Sequence, residues 1–271
     1  MTNQQSKFVH YGLAILWTLC AILPLLWVLW ASFYPVDTPL PLQLGPLNAP
    51  LTLQNYPRIF ANVALAQQLL NSIFVTLIGA SLSVLVASLA GFGLSQLPKH
   101  PQRMLLGVFT VTAFIPAGAI WLGRFLVIRW IGLMNTHTAL ISYALLGGSP
   151  ITLLICWAAC RRLSPDVIDS AKLDTASAWQ LWWHIALPMI RPALAATLTL
   201  ALLAFWNDSI SPAMYLKSPA LYTWPVGLAL LQQFDKTKWA LLMAACVLVT
   251  LPALAAIGVI QHTFLNDEMA I

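Results

Sequence analysis

Charge is scarce in this sequence. Only 8% of its 271 residues are Asp, Glu, Lys or Arg, against roughly 25% in a soluble domain. No charged residue falls between Arg58 and Lys99. An ordinary water-soluble globule is excluded. The net charge of +5 is spread along the chain. No basic run and no interleaving of basic with aromatic residues supports nucleic-acid binding. Cysteine is also sparse, and Cys20, Cys156, Cys160 and Cys246 all sit in apolar runs. Cys156 and Cys160 share a helical face, a spacing that admits a metal or redox pair. Their apolar neighbours fit small buried hydrophobes better. The histidines are scattered, so no metal site is expected. A Gly-x-x-x-x-Gly-Lys-Ser/Thr loop is missing, so ATP is not held here through a P-loop, and no cofactor is expected in this chain. No Ser/His/Asp set or carboxylate pair marks a catalytic centre. A charge at mid-bilayer costs roughly 2.5–3.5 kcal/mol, and ion-coupled carriers place one there for a purpose. The acids outside loops and termini reduce to Asp208, at a span end. An ion-coupled carrier and a multispan membrane enzyme both lose support.

Apolar side chains are what the sequence has, at 60% of residues and a mean hydropathy of +0.81. An all-α integral membrane protein follows, because a span needs about 20 apolar residues. Apolar runs place six spans at about 11–33, 71–95, 104–123, 138–160, 192–208 and 239–261. One bundle of these uses the whole length, so 1–271 is expected to be a single transmembrane domain. The first run is too long, and too poor in basic flanks, for a signal peptide. Pro116 is expected to kink the third span. Two stretches read as loops because of their prolines: 34–70, with Thr52 capping a short helix that contains Tyr56 and Phe60, and 209–238, with Pro212, Pro219 and Pro225. The first is either a contact for an external protein or a plain linker. Basic residues divide seven to six between the two sides, so charge gives no orientation.

One hydrophilic island interrupts the apolar pattern, from Asp169 to Pro192. Ahead of it, Ser164-Pro165-Asp166 is a helix start: a serine that can cap, a proline suited to the first turn and an acid at the positive helix end. A helix is expected from about Pro165 to Leu173, with a break at Asp174-Thr175. Ser177 and Gln180 form a possible capping box for a second helix carrying Trp179, Leu181, Trp182, Trp183 and Ile185. Pro188 should end or kink that helix. The 163–191 segment is thus a helix-turn-helix knob, either a docking handle for a partner or an interfacial amphipathic hairpin.

Here the chain resembles the permease subunits of binding-protein-dependent ABC importers, whose loop reads Glu-Ala-Ala, three residues, Gly, then about nine residues and Leu-Pro. Asp169 falls on the Glu position, Ser170 and Ala171 on the alanines. Asp174, Thr175 and Ala176 fall on the family's Asp, Gly and Ala, and Leu187-Pro188 on its Leu-Pro. Asp169 is one methylene short, and Thr175 replaces a glycine that tolerates positive φ. Thr52-Leu-Gln-Asn-Tyr56, Asn71-Ser72, Trp206-Asn207-Asp208, Pro225-Val226-Gly227-Leu228 and Leu242-Met243-Ala244-Ala245 extend the likeness to the sugar-importing, maltose-permease-like branch.

The resemblance implies a six-span bundle of the type I ABC importer permease kind with a cytoplasmic coupling loop at 163–191. It implies multi-pass insertion in a bacterial or archaeal cytoplasmic membrane. Its implied partners are a second, homologous permease subunit, two ATPase subunits that carry ATP and Mg, an external or periplasmic solute-binding protein, and lipid. The implied ATPase-coupling residues are Asp169, Ser170, Ala171, Lys172, Asp174, Thr175 and Ala176, with Ala171 against the partner. The implied solute is a sugar or oligosaccharide, with a polyol or a glycerol phosphate ester as the alternative. Asn71, Tyr143, Trp206, Asn207 and Asp208 are the candidates for the solute path. An aromatic interface anchor with a solvated Asn-Asp pair explains Trp206-Asn207-Asp208 equally well. The tail after Gln261 is short and acidic, so the basic tail contact common in this branch is expected to be missing or altered.

Overall fold

Apolar runs bounded by Ser, Pro and Gly fold as helices. The structure, a computed structural model, describes residues 3–36, 51–62, 64–234 and 238–265, and no strand occurs among them. The proline-rich 37–50 segment, Lys236 and the acidic tail from Asn266 lie outside the described residues. In chain order the helices are α1 (Asn3–Ala31), α2 (Asn55–Asn62), α3 (Leu65–Ser95), α4 (Lys99–Ala113), α5 (Ala117–Trp130), α6 (His137–Ile141) and α7 (Pro150–Cys160). Then come α8 (Pro165–Leu173), α9 (Ala178–Gln180), α10 (Leu187–Met189), α11 (Arg191–Trp206), α12 (Ile210–Tyr215), α13 (Trp224–Phe234) and α14 (Trp239–Leu265). Four stretches are long and apolar enough to cross a membrane: His10–Ala31, Leu65–Ser95, His137–Cys160 and Trp239–Thr263. Two bent helix pairs raise the number to six if each is one span.

The chain divides into two compact units, Met1–Ala66 with Gly227–Pro252, and Gln67–Val226 with Ala253–Ile271. In the first, α1 turns most of its apolar surface outward, with Trp17 80% exposed. Such a face suits lipid. Its C-terminal end is anchored. The Asn55 side-chain amide, fully buried, donates to the carbonyls of Ser32 and Tyr34 at 2.7 Å each. The Tyr56 hydroxyl lies 2.8 Å from Ser32 Oγ. The expected short helix with Tyr56 and Phe60 is α2, but Thr52 does not cap it. Thr52 Oγ1 accepts instead from the Gln54 amide, a local turn one step earlier. Tyr34 packs its ring on Trp30 and Trp239 at centroid distances of 5.7 and 5.4 Å.

The second unit is built on α3. Small residues let neighbours approach it closely, as in membrane bundles generally. A Cβ on Gly91 would meet the Trp157 backbone nitrogen at 2.7 Å, and one on Gly79 would meet the Phe205 ring at 2.6 Å. Cys156 is buried on the same contact with α7, and Cys160 packs with Phe92, Ile168 and Trp182, so both thiols fill core space.

The structure adds breaks to two expected spans and corrects one expected loop. The run 104–123 is broken rather than kinked at Pro116: α4 ends at Ala113, Pro116 directly precedes α5, and the two helices bend by 102°. Proline lacks the amide that would have continued the ladder, and it is at home before a first turn. The run 138–160 is interrupted. A 3-10 turn, Ser142–Leu146, runs into Gly147 and Gly148 at φ of 75° and 72°, and α7 restarts at Pro150. The 209–238 segment is not an open loop but α12, a 3-10 turn (Pro219–Leu221) and α13. Its prolines stand within first turns, where no intrahelical amide is lost.

Candidate functional site

The knob forms as its local chemistry dictates. Helix α8 spans Pro165–Leu173, as expected, with Asp166 in the first turn and Lys172 in the last, both matched to the helix dipole. Ser164 holds the N-cap position, but its side chain makes no capping hydrogen bond. The helix ends in a full Schellman motif. The Thr175 amide donates to the Lys172 carbonyl at 3.0 Å and the Ala176 amide to the Ala171 carbonyl at 3.1 Å. Thr175 therefore takes the left-handed conformation, at φ 62°. A β-branched residue there carries roughly 1–2 kcal/mol of strain. The threonine keeps the shape that a glycine would adopt freely.

The capping box also forms. Ser177 Oγ accepts from the Gln180 amide at 3.3 Å, and Gln180 Oε1 accepts from the Ser177 amide at 2.8 Å. After α9 the backbone widens into a π-turn, Leu181–Ala186, and the amide of Leu187 just after it donates to the Trp182 carbonyl. The wider turn precedes Pro188, which has no amide to give. The chain then bends by 86° at Ile190 into α11. The expected end of the helix near Pro188 thus falls two residues later.

One cluster seats the knob: Ile168, Leu181, Trp182, Ala186 and Ile190 pack with Phe92 of α3 and Cys160 of α7. Burying side chains of this size stabilises by roughly 1.5–3 kcal/mol each. The knob is thus packed directly onto α3 and α7. Trp179, Trp182 and Trp183 form a ring cluster, with Trp179 and Trp183 stacked at 6.1 Å. The site residues separate by face. Asp169, Ser170, Lys172, Asp174 and Thr175 are exposed, while Ala176 packs inward. Lys172 Nζ lies 3.4 Å from Asp169 Oδ1. So exposed a pair contributes at most about 1 kcal/mol. Ala171 is half-buried and packs on the knob's own cluster. Leu173, which sequence reasoning passed over, is 85% exposed at the C-terminal end of α8.

The five solute-path candidates also separate. The Asn71 amide donates to the carbonyls of Ala220 and Tyr222 at 2.9 Å each, and its oxygen accepts from Gln67. Trp206 is buried, its ring 6.0 Å from that of Trp224. Asn207 donates to the Leu203 carbonyl, and Asp208 Oδ1 accepts the first amides of α12, from Ile210 and Ser211, at 3.1 and 3.0 Å. Helix α12 and the turn after it are held by further polar side chains. Asn135, at φ 60°, accepts from the amides of Lys217 and Ser218 and donates to Ser218 Oγ. His137 Nε2 is 2.9 Å from the Leu221 carbonyl, and Ser72 Oγ accepts from the Trp224 amide. Irregular backbone at membrane depth needs such partners.

Tyr143, the fifth candidate, lines a cavity. It has a volume of about 230 Å³ and lies between α3, the Gly147–Gly148 break and α11. Ser83, Ser149, Thr152, Leu200 and Phe205 share the lining. The Phe205 ring stands 6.2 Å from that of Tyr143, and the Arg124 guanidinium stacks 4.5 Å from the Tyr143 centroid. The sequence signal for this break was Gly-Gly-Ser-Pro at 147–150: the Ser-Pro pair repeats Ser164-Pro165, and here Ser149 Oγ does cap the Ile151 amide.

Residues 83–265 match the model of the binding-protein-dependent transport system inner membrane component family. The chain belongs to that family. It is a multi-pass inner membrane component of a transport system. A lactose transport system permease protein of Rhizobium radiobacter is 25% identical, the match covering 99% of this chain and 97% of that one. A polygalacturonan/rhamnogalacturonan transport system permease protein of Bacillus subtilis is 26% identical over 99% and 98% of the two chains. A chain from a crystal structure of a bacterial ABC transporter involved in alginate import superposes with a TM-score of 0.77, at 20% identity over 97% and 99%. That likeness shows the fold, a type I ABC importer permease.

Proposed function

We propose that this permease imports a sugar or oligosaccharide in a complex with a second permease subunit, two ATPase subunits and an external binding protein. The carbohydrate class rests on its relatives: besides lactose and pectic polymers, they are named for diacetylchitobiose, arabinooligosaccharides and trehalose. The observation that carries the mechanism is the α8 knob. It is locked inside by the Ile168–Trp182 cluster and exposes Asp169, Ser170 and Leu173 outside. ATP and Mg belong to the ATPase subunits, since this chain has no P-loop sequence.

In this mechanism ATP closes the ATPase dimer, the docked knobs move with it, and the spans switch between inward- and outward-open states. Such a switch needs contacts that differ between the two states. The knob supplies them because its seat on Phe92 and Cys160 couples its displacement to α3 and α7.

The test is energised uptake in the source cell with labelled lactose, trehalose and arabinooligosaccharide. Deleting this chain should abolish accumulation of at least one of them. Collapsing the proton and sodium gradients while ATP is held constant should leave accumulation intact. Uptake that survives ATP depletion and fails with the ion gradients would establish an ion-coupled carrier instead.

A further inference from the structure

We propose that the cavity at the Gly147–Gly148 break holds one uncharged sugar ring, with Ser83 Oγ as a hydrogen-bonding group to a ring hydroxyl. This rests on the carbohydrate reading and narrows it. Ser83 is fully buried in the long apolar helix α3, yet its hydroxyl has no hydrogen-bond partner among the described residues. A buried hydroxyl without a partner is costly, and a ligand hydroxyl in the cavity would offset that cost. Ser83 belongs to the cavity lining, and Gly148 packs against its hydroxyl. A Cβ on Gly148 would sit 3.1 Å from Ser83 Oγ, and φ of 72° at that position also favours glycine.

The other groups around the cavity fit the same ligand. Ser149 Oγ accepts from the Ile151 amide and keeps its own proton to donate. Tyr143 and Phe205 supply aromatic faces for the C–H surface of a ring. Arg124 holds the Tyr143 ring by stacking, but it is not part of the lining. The lining residues carry no charge. A glycerol phosphate ester would place a dianion there without a cation, at high cost. Size decides between a ring and a chain. About 230 Å³ equals roughly eight waters at ~30 Å³ each. One sugar ring fits.

The experiment measures initial uptake of labelled lactose, trehalose and glycerol 3-phosphate by cells carrying wild type, Ser83→Ala or Ala204→Leu. Membrane levels of the chain are checked by immunoblot. Ala204 is an exposed lining residue, so a leucine there fills the cavity without a core clash. Wild type should take up a neutral sugar and leave glycerol 3-phosphate outside. Ser83→Ala should raise the half-saturating concentration about tenfold, the usual scale for one lost hydrogen bond in a dry site. Ala204→Leu should abolish uptake, with both variants at normal levels. Wild-type sugar uptake in both variants would overturn the pocket and leave the carbohydrate function standing. Uptake of glycerol 3-phosphate in place of sugar would overturn the uncharged-ring assignment. Uptake of none of the three would overturn the assignment of the pocket to the glucose ring that lactose and trehalose share.

Discussion

Replacing Leu173 by aspartate is expected to leave the protein in the membrane and to separate it from its ATPase. Leu173 is 85% exposed at the C-terminal end of α8, outside the cluster that seats the knob. On the proposed coupling role, a leucine this exposed at the Schellman end of α8 is the apolar contact offered to the ATPase. Burying it contributes roughly 1.5–3 kcal/mol. An aspartate loses that and adds an unpaired charge, so the interface should weaken by about tenfold to a thousandfold. Co-purification of the ATPase and solute-stimulated ATP hydrolysis should both fall accordingly, with unchanged membrane yield. Ala171→Glu is a poorer probe than the sequence motif implies. Ala171 packs on the Ile168–Trp182 cluster, so the glutamate would disturb the knob itself. Full ATPase association by Leu173→Asp would assign the exposed face of α8 to water or lipid.

Enlarging Gly91 should unseat α3 from α7. The added carbon of Gly91→Ala would stand 2.7 Å from the Trp157 backbone nitrogen and 2.8 Å from Cys156 Cβ. Backbone cannot swing aside as a flexible side chain can. Overpacking of this kind costs about 1–3 kcal/mol, and Gly91→Leu should prevent folding altogether. Gly93, two residues on, faces open space: a Cβ added there would have nothing within 4 Å. Gly93→Ala should therefore unfold in detergent at the wild-type temperature, while Gly91→Ala unfolds several degrees lower. Equal midpoints would mean that the contact at Gly91 is not tight. Phe92 of the same helix also seats the knob, so a shifted α3 should in addition weaken coupling between ATP hydrolysis and transport.

Local grammar was legible in the sequence. Ser164-Pro165-Asp166 set the start of α8, and Ser177 with Gln180 set the capping box, because each depends on neighbours within a few positions. The turn at Thr175 was legible as a problem, either a different shape or strain; the geometry resolves it as strain within a standard motif. What the sequence hid was long range. A polar residue at a span end looks the same whether it faces solute or a distant carbonyl. Asn71 bonds to Ala220 and Tyr222, and His137 to Leu221, across separations that no local pattern reveals. Prolines at 212, 219 and 225 read as breakers, yet each stands in a first turn. The Gly147–Gly148 break was masked by the hydropathy of its surroundings, and the unpartnered Ser83 hydroxyl becomes visible only when α3, α7 and α11 come together.

The most direct measurement is a cross-link from the exposed face of α8. Lys172 is exposed there, tied only loosely to Asp169 at 3.4 Å. In a chain otherwise free of cysteine, Lys172→Cys should form a disulfide with a cysteine placed in the docking cleft of the ATPase, in inside-out vesicles of the whole complex. Its yield should change when ATP is added, because the knob moves with the ATPase. A complex that transports at the full rate while this cysteine reacts only with soluble or lipid-borne reagents, with or without ATP, would contradict the coupling role of α8.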